Sequence, residues 1–362
     1  MLPIPTLSQI FDDVQNSYKF LFFLSLLELA SESNYKKGEF GSRELGAKIL
    51  ALAWYPGEYY KLSLGKQDKL KDYLAELKIN PGNKIKTTAE LAREIESLIT
   101  YDLQLKLFKY VPFRLIRPFV KNNSLKSIAD YKVNRKIITS ADQLDNPIYS
   151  IIEKNDKNRN ELLSVCVNPE WIKYFQQNYS FLKAWTLFKF GHYIQKNNPN
   201  SFAVIEKISP TFKRASLSQQ RNFWKVVLAK EFIRCPYSKE ILSPENFDLD
   251  HFLPRRYIAH DQFWNLIPTT PSHNREKNDR IPDREFVEPY IELHTLVIEK
   301  YKALIPNAKN EVSNYLIALG IDTEEHLNER TFFQNKLRSI IQTHFEIAKN
   351  SGFSDVWKPK NS

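Results

Sequence analysis

The stretch from Phe20 to Ala30 is apolar on nearly every face of a helix. Phe20, Phe23, Leu24, Leu27 and Ala30 follow helical spacing, while Leu21, Phe22, Leu26 and Leu29 fill the other faces. Such a helix must be buried on several sides, so the rest of the chain has to surround it. Ser25 and Glu28 interrupt the run, and its eleven residues are too few to cross a bilayer. The expectation is a central core helix, capped at Asn16-Ser17 and running to about Ser33, with a partner-binding helix as the alternative.

The remaining patterns are mostly helical as well. Only 9 glycines occur in 362 residues, and Leu, Lys, Glu and Phe are abundant, which favours helices over an all-β fold. Helical segments are expected at Ser42–Trp54, Gln67–Leu77, Thr88–Thr100, Pro169–Lys196 and Gln219–Phe232. Downstream they are expected at Asp283–Ile305, Lys309–Leu319 and Thr331–Asn350. The aromatic segment 55–66 reads as turn-rich packing. Pro112 and Pro118 forbid one long helix across Val111–Phe119, so a short strand or extended segment is expected there. A short helix is expected over Pro147–Glu153, a polar tip over Asp156–Asn160, and loops at Pro81-Gly82 and Asn134–Leu144.

The formal charge of +10 is unevenly spread. Residues 101–140 hold nine Lys and Arg against two acids, and residues 205–239 hold eight against two. Two basic stretches of this kind attract a phosphate backbone. Arg114 and Arg117 in the first, and Arg221 and Lys225 in the second, are candidate phosphate contacts. From Phe286 onward ten acids balance nine bases, so this tail is expected to pack on the protein itself. Cys166 and Cys235 are the two cysteines. They form no disulfide framework and suit a reducing cytoplasm. Met1-Leu2-Pro3-Ile4-Pro5 lacks the features of a signal peptide, and no membrane association is expected.

Chemistry concentrates between Phe247 and Pro282. Phe247–Phe252 reads as a strand, Pro254–Asp261 as a loop, Asn265–Thr269 as a second strand, and Ser272–Asp279 as a short helix. Hydrolysing a phosphodiester needs a base for water, a cation to offset phosphate charge, and a group that positions the base. His251 can be the base, since the ordinary histidine pKa of about 6.5 suits proton removal near neutral pH. Asp250 can ligate a hard cation such as Mg²⁺ or Mn²⁺, and Asn274 can add a neutral oxygen from the helix. Neighbouring strand residues face opposite ways, so Asp250 and His251 reach one phosphate only across a bend or beside the strand end. Asn265 can hydrogen-bond the loop backbone and fix how His251 is presented. Arg255, Arg256, Arg275 and Lys277 are candidate nucleic-acid contacts around this centre.

Asp250-His251, Asn265 and Asn274, with Lys277 and Asp279 trailing, resemble the HNH endonucleases, the ββα-metal nuclease fold. The resemblance covers Cys235 to Pro282. It implies that His251 is the general base, that Asp250 and Asn274 hold the metal, and that Asn265 is the middle asparagine. Asn274 stands where the family often has histidine, with His273 beside it. Many such domains also hold zinc through two Cys-x-x-Cys pairs. Here Cys235-Pro236-Tyr237-Ser238 has one cysteine and no later pair follows, so no structural zinc is expected. Packing and hydrogen bonds should hold this knuckle, with Cys235 buried. A softer similarity to stand-alone bacterial HNH proteins runs through Asn16–Phe20, Ala53–Pro56, Leu64–Asp68 and Gln220–Trp224.

The expected fold is mainly α, with helical N- and C-terminal regions around a small ββα-metal module. The expected domains are a helical region at 1–160, a helical connector at 161–232, the nuclease domain at 233–285 and a C-terminal helical region at 286–362. The expected function is metal-dependent endonuclease cleavage of DNA, with RNA as the alternative substrate, in defence against foreign DNA. Two other readings stay open: a nuclease subunit controlled by a guide or partner, and a nucleic-acid-binding protein that does not cut. A protein partner or a second copy is expected to bind through the N-terminal helical region.

Overall fold

The computed structural model describes residues 2–79, 87–120, 132, 134, 137, 144–156, 159–209, 216–305 and 309–360. It is mainly helical, and it divides into two compact units, Met1–Phe212 and Lys213–Ser362. The stretch expected as a connector contributes to both: its long helix belongs to the first unit and Ser218–Leu228 to the second. The loop expected at Pro81-Gly82, and most of that at 134–144, lie outside the described residues.

In the first unit, α1 (Tyr18–Glu32) is the centre. Every residue from Phe20 to Ala30 is buried, so its apolar surface is consumed internally and is not left for a partner. It packs against α2 (Ser42–Trp54) and against the 29-residue helix Pro169–Asn197. Two cations account for the acid inside this apolar helix. Lys183 donates to Glu28 at 2.9 Å, and Lys48 of α2 lies 4.0 Å from Glu28 and 2.5 Å from Glu32. Ser25 returns its hydroxyl to the Leu21 carbonyl. Buried polar groups with such partners escape most of their desolvation cost. The aromatic segment after α2 forms a π-helical turn, Tyr55–Tyr59, whose rings pack on Trp54.

Helices α3 (Leu70–Leu77), α4 (Thr88–Leu98) and α5 (Tyr101–Phe108) follow. A capping box between Thr87 and Glu90 starts α4. The extended segment expected over 111–119 is instead the short helix α6 (Val111–Leu115) and a 3-10 turn, Arg117–Phe119. Pro112 and Pro118 each sit in the first turn, where a missing N–H costs nothing. The prolines divide the helix rather than abolish it.

The helix expected over Pro147–Glu153 is also overturned. Tyr149–Asp156 is a strand in an antiparallel sheet, where it pairs with Arg159–Val167, and that strand pairs in turn with Glu39–Gly41. We number these β1 (Glu39–Gly41), β2 (Tyr149–Asp156) and β3 (Arg159–Val167). The sheet order is β1-β3-β2. The polar tip is the hairpin end, where Asp156 pairs with Arg159. Asn168 caps the following helix, α7 (Pro169–Asn197), which bends at Asn178.

The second unit opens with α8 (Ser218–Leu228). Next come β4 (Asp248–His251), the one-turn helix α9 (Arg255–Ile258) where a loop was expected, β5 (Leu266–Thr269) and α10 (Pro271–Lys277). β4 and β5 are antiparallel, with Asp250 opposite Ile267 and His251 opposite Leu266. The tail helices α11 (Val287–Leu304), α12 (Lys309–Leu319), α13 (Glu324–Asn328) and α14 (Arg330–Asn350) pack in the same unit. Tyr290 stacks on Phe252 and donates to the Trp264 carbonyl, and His344 stacks on Trp264. Trp224 of α8 donates to the Leu266 carbonyl at 3.1 Å. The ββα segment is thus wedged between α8 and the tail.

His294 of α11 is wholly buried, bonded to the Tyr315 hydroxyl at 2.8 Å, and burial holds its pKa down to about 3 from 6.5. The unfolded chain therefore binds a proton that the folded chain refuses. Stability should fall as pH drops below about 6.5, by roughly 1.4 kcal/mol per pH unit from this residue. Burial also lowers His344, to about 4, in the same direction. Denaturant titrations between pH 7 and 5 check this. A His294→Gln variant should show a slope smaller by one proton.

Candidate active site

The site is built where α10 lies across β4. Asp248 and Asp250 are two apart on the strand and so share a face, and both meet α10. Asn274 Nδ2 lies 3.3 Å from Asp248 Oδ2. One helical turn on, Lys277 Nζ donates to Asp250 Oδ1 at 3.0 Å and to the His251 carbonyl at 2.7 Å. Thr270 caps α10, with Pro271 in its first turn, and bonds the His273 ring at 2.6 Å. That contact draws His273 to the cap rather than to Asp250.

Asp250 is 3% exposed, and each carboxylate oxygen has a partner. Lys277 occupies Oδ1, and the Tyr237 hydroxyl donates to Oδ2 at 2.7 Å. Burial, with Asp250 beside it, pushes the Tyr237 phenol well above its usual range, so it stays a donor. Tyr237 comes from the knuckle around Cys235. There Cys235 N donates to the Glu240 carbonyl, Lys239 N donates to the Cys235 carbonyl, and Cys235 Sγ lies 3.1 Å from Thr269 Oγ1.

His251 turns toward the loop. Its Nε2 is 2.8 Å from Asp261 Oδ1, which also accepts from Arg255 Nε at 3.0 Å. Although burial opposes it, hydrogen bonds from His251 and Arg255 hold the Asp261 carboxyl down to about 2. Asp261 is thus ionised at neutral pH and only accepts, so His251 Nε2 is the donor of this pair and, in the neutral ring, Nδ1 is the nitrogen with the lone pair. Asn265 is fully buried and clamps the turn after His251. Its Oδ1 accepts from Leu253 N at 2.8 Å and its Nδ2 donates to Leu253 O at 2.9 Å. Asn265→Ala strands two buried backbone groups. It should cost about 2–6 kcal/mol, at 1–3 kcal/mol for each unsatisfied group, read as a lower midpoint in urea.

The other candidate contacts divide. Lys277 was expected on the nucleic-acid surface, but its side chain has no exposed area and serves as an internal cation. Arg221 donates to the Phe247 carbonyl at 2.8 Å and lies over the Phe247 ring, steadying the entry to β4. Arg255 is drawn to Asp261. Arg256 lies 3.9 Å from Asp279 and is half-buried, while Arg275 and Lys225 are exposed. Arg114 and Arg117 belong to the first unit. Three residues escaped the sequence reading: Asp248, Tyr237 and Asp261. Asp248 carried a signal, the i, i+2 spacing to Asp250 on one strand. Tyr237 and Asp261 carried none, because their partners are set by the fold.

The donors on the α10 face of β4 are hard oxygens, and a cationic ammonium already rests on Asp250. In kind they fit a small divalent cation. Among the described residues no group of three His, Cys, Asp or Glu could hold a metal, so an ion here would draw on Asn274 and water.

Two short antiparallel strands, the first carrying Asp250-His251, are closed by a helix carrying Asn274 and form a ββα module. Residues 235–283 match the HNH endonuclease family model, which makes this module an HNH domain. Comparison with curated proteins gives no match, and neither does comparison with solved structures. An HNH nuclease domain implies a nucleic-acid substrate. Among the described residues no helix is long and apolar enough to cross a membrane.

Proposed function

We propose that the protein is a metal-dependent HNH endonuclease that hydrolyses DNA. The observation that carries this reading is the orientation of His251, whose Nε2 lies against an ionised Asp261, and on this reading Nδ1 is the base. Water gives its proton to Nδ1 as its oxygen bonds to phosphorus, and Asp261 steadies the resulting imidazolium. The P–O3′ bond breaks and O3′ takes a proton from a second water, leaving 5′-phosphate and 3′-hydroxyl ends. Asn265 holds the Leu253 turn so that the ring keeps its direction. Asp250, Asn274 and Asp248 would hold Mg²⁺ or Mn²⁺, which would offset charge on the phosphate. Arg256, Arg275 and Lys225 supply phosphate contacts. A role in defence against foreign DNA rests on the resemblance alone.

The test is nicking of supercoiled plasmid by the full chain. Cleavage should need Mg²⁺ or Mn²⁺, stop with EDTA and return when the metal is restored. Cleavage that proceeds undiminished in EDTA would sink the reading.

A further inference from the structure

The first unit contains a cleft of about 530 Å³ that the nuclease chemistry does not use. The start of α1, the segment leading into α3, and the α5–α6 region form its walls. Among the described residues six cations line it, Lys19, Lys69, Lys106, Lys109, Arg114 and Arg117, against one acid, Asp13. They come from segments far apart in sequence, so the fold has gathered them.

Two of these cations are paired with acids that stand outside the cleft. Lys69 and Lys106 are held by Asp72 and Asp102, at 2.9 and 2.7 Å. Lys19 donates to a neutral group, the Asp13 carbonyl, at 2.6 Å. Burial lowers the Lys19 pKa, and against the pull of Asp13 the neighbouring Arg117 and Arg114 lower it further. Asp13 stands 3.9 Å from Arg117, a loose pair. Like charges gathered in a partly desolvated concavity are costly unless an anion joins them.

The rest of the wall is not what a bare phosphate needs. Tyr18, Tyr73 and Tyr110 line the cleft with the amide side chains of Gln15, Asn16 and Gln67. Tyr110 is 46% exposed, and Lys109 and Arg114 lie 5.0 and 5.1 Å from its ring centre. Rings offer a stacking wall for a base, amides can read its edge, and cations take its phosphates. The volume falls within the range of small-ligand sites, roughly 300–1,000 Å³, and is too small to admit a duplex.

We infer that this cleft binds a phosphorylated nucleotide, either free or as the 5′-phosphorylated end of a strand. The inference stands on the first unit alone and does not depend on nuclease activity.

Calorimetry on the full chain in EDTA tests it, with ATP, a 5′-phosphorylated oligothymidylate of four residues, and pyrophosphate as probes. ATP or the tetranucleotide should bind with a Kd of roughly 100 µM or tighter. The tighter of the two identifies the source. Lys19→Gln with Arg117→Gln should weaken that binding about tenfold or more, as loss of charge-assisted hydrogen bonds requires. A second pair on exposed side chains, Lys69→Gln with Lys109→Gln, should weaken it too and guards against a folding defect in the first. Tyr110→Ala should weaken the nucleotide and leave pyrophosphate unchanged. Pyrophosphate binding as tightly as ATP, binding unmoved by both pairs, or no binding of either nucleotide probe would overturn the assignment.

Discussion

His251→Ala should lower the plasmid-cleavage rate by about 10²–10⁴-fold, the usual contribution of a positioned general base. The variant should still fold, because Asn265, not His251, fastens the turn at Leu253. Asp261→Asn should also slow cleavage, for a different reason. An amide can donate to Nε2 as well as accept from it, so the ring loses the preference that leaves Nδ1 as the base. The lost negative charge also makes the protonated imidazole less stable. The acid limb of the pH–rate profile should therefore move to lower pH in Asp261→Asn. A merely structural role for Asp261 would scale the profile without moving it. Rates for the two variants across pH 5–9, beside wild type, separate these outcomes. Undiminished cleavage in His251→Ala would end the assignment of the base.

What was legible in the sequence divides by the range of the interactions. α1 was readable because eleven consecutive residues leave no polar face, a property that needs no knowledge of neighbours. Lys309–Leu319 was readable from its own periodicity and the stop at Gly320. The Asp250, His251, Asn265 and Asn274 spacing identified the ββα segment, because strand, turn and helix there are all local. The β2 strand was not readable. Its first residues are compatible with a helix, and the ladder with β3, itself paired with a strand more than a hundred residues earlier, decides against it. Arg114 and Arg117 were picked out by charge density, yet their neighbours in the cleft, Lys19 and Lys69, lie outside that basic stretch. Charge counting along a chain cannot see a concavity.

Lys277 gives the sharpest contrast between sequence and fold, and the second large effect. A lysine in the last turn of a short helix should point to solvent and favour the helix dipole. Here the neighbouring strand reverses that outcome, because Asp250 and the His251 carbonyl face α10 and need a donor. Removing the ammonium leaves a buried carboxylate with only the Tyr237 hydroxyl. Lys277→Ala should destabilise the second unit by about 3–5 kcal/mol, the cost of orphaning one member of a buried ion pair. For a unit of this size that corresponds to a Tm lower by about 2–4 °C per kcal/mol. Adding Asp250→Asn should recover part of the loss, since the orphaned charge goes with it, and the coupling from the double-mutant cycle measures the pair. The same variant separates two roles for this lysine. If Lys277 touched the phosphate backbone, Lys277→Ala would leave stability near wild type and reduce the salt dependence of DNA binding by about one counterion. The internal role has the opposite signature: a large fall in stability, and a salt slope that matches wild type for the fraction that stays folded.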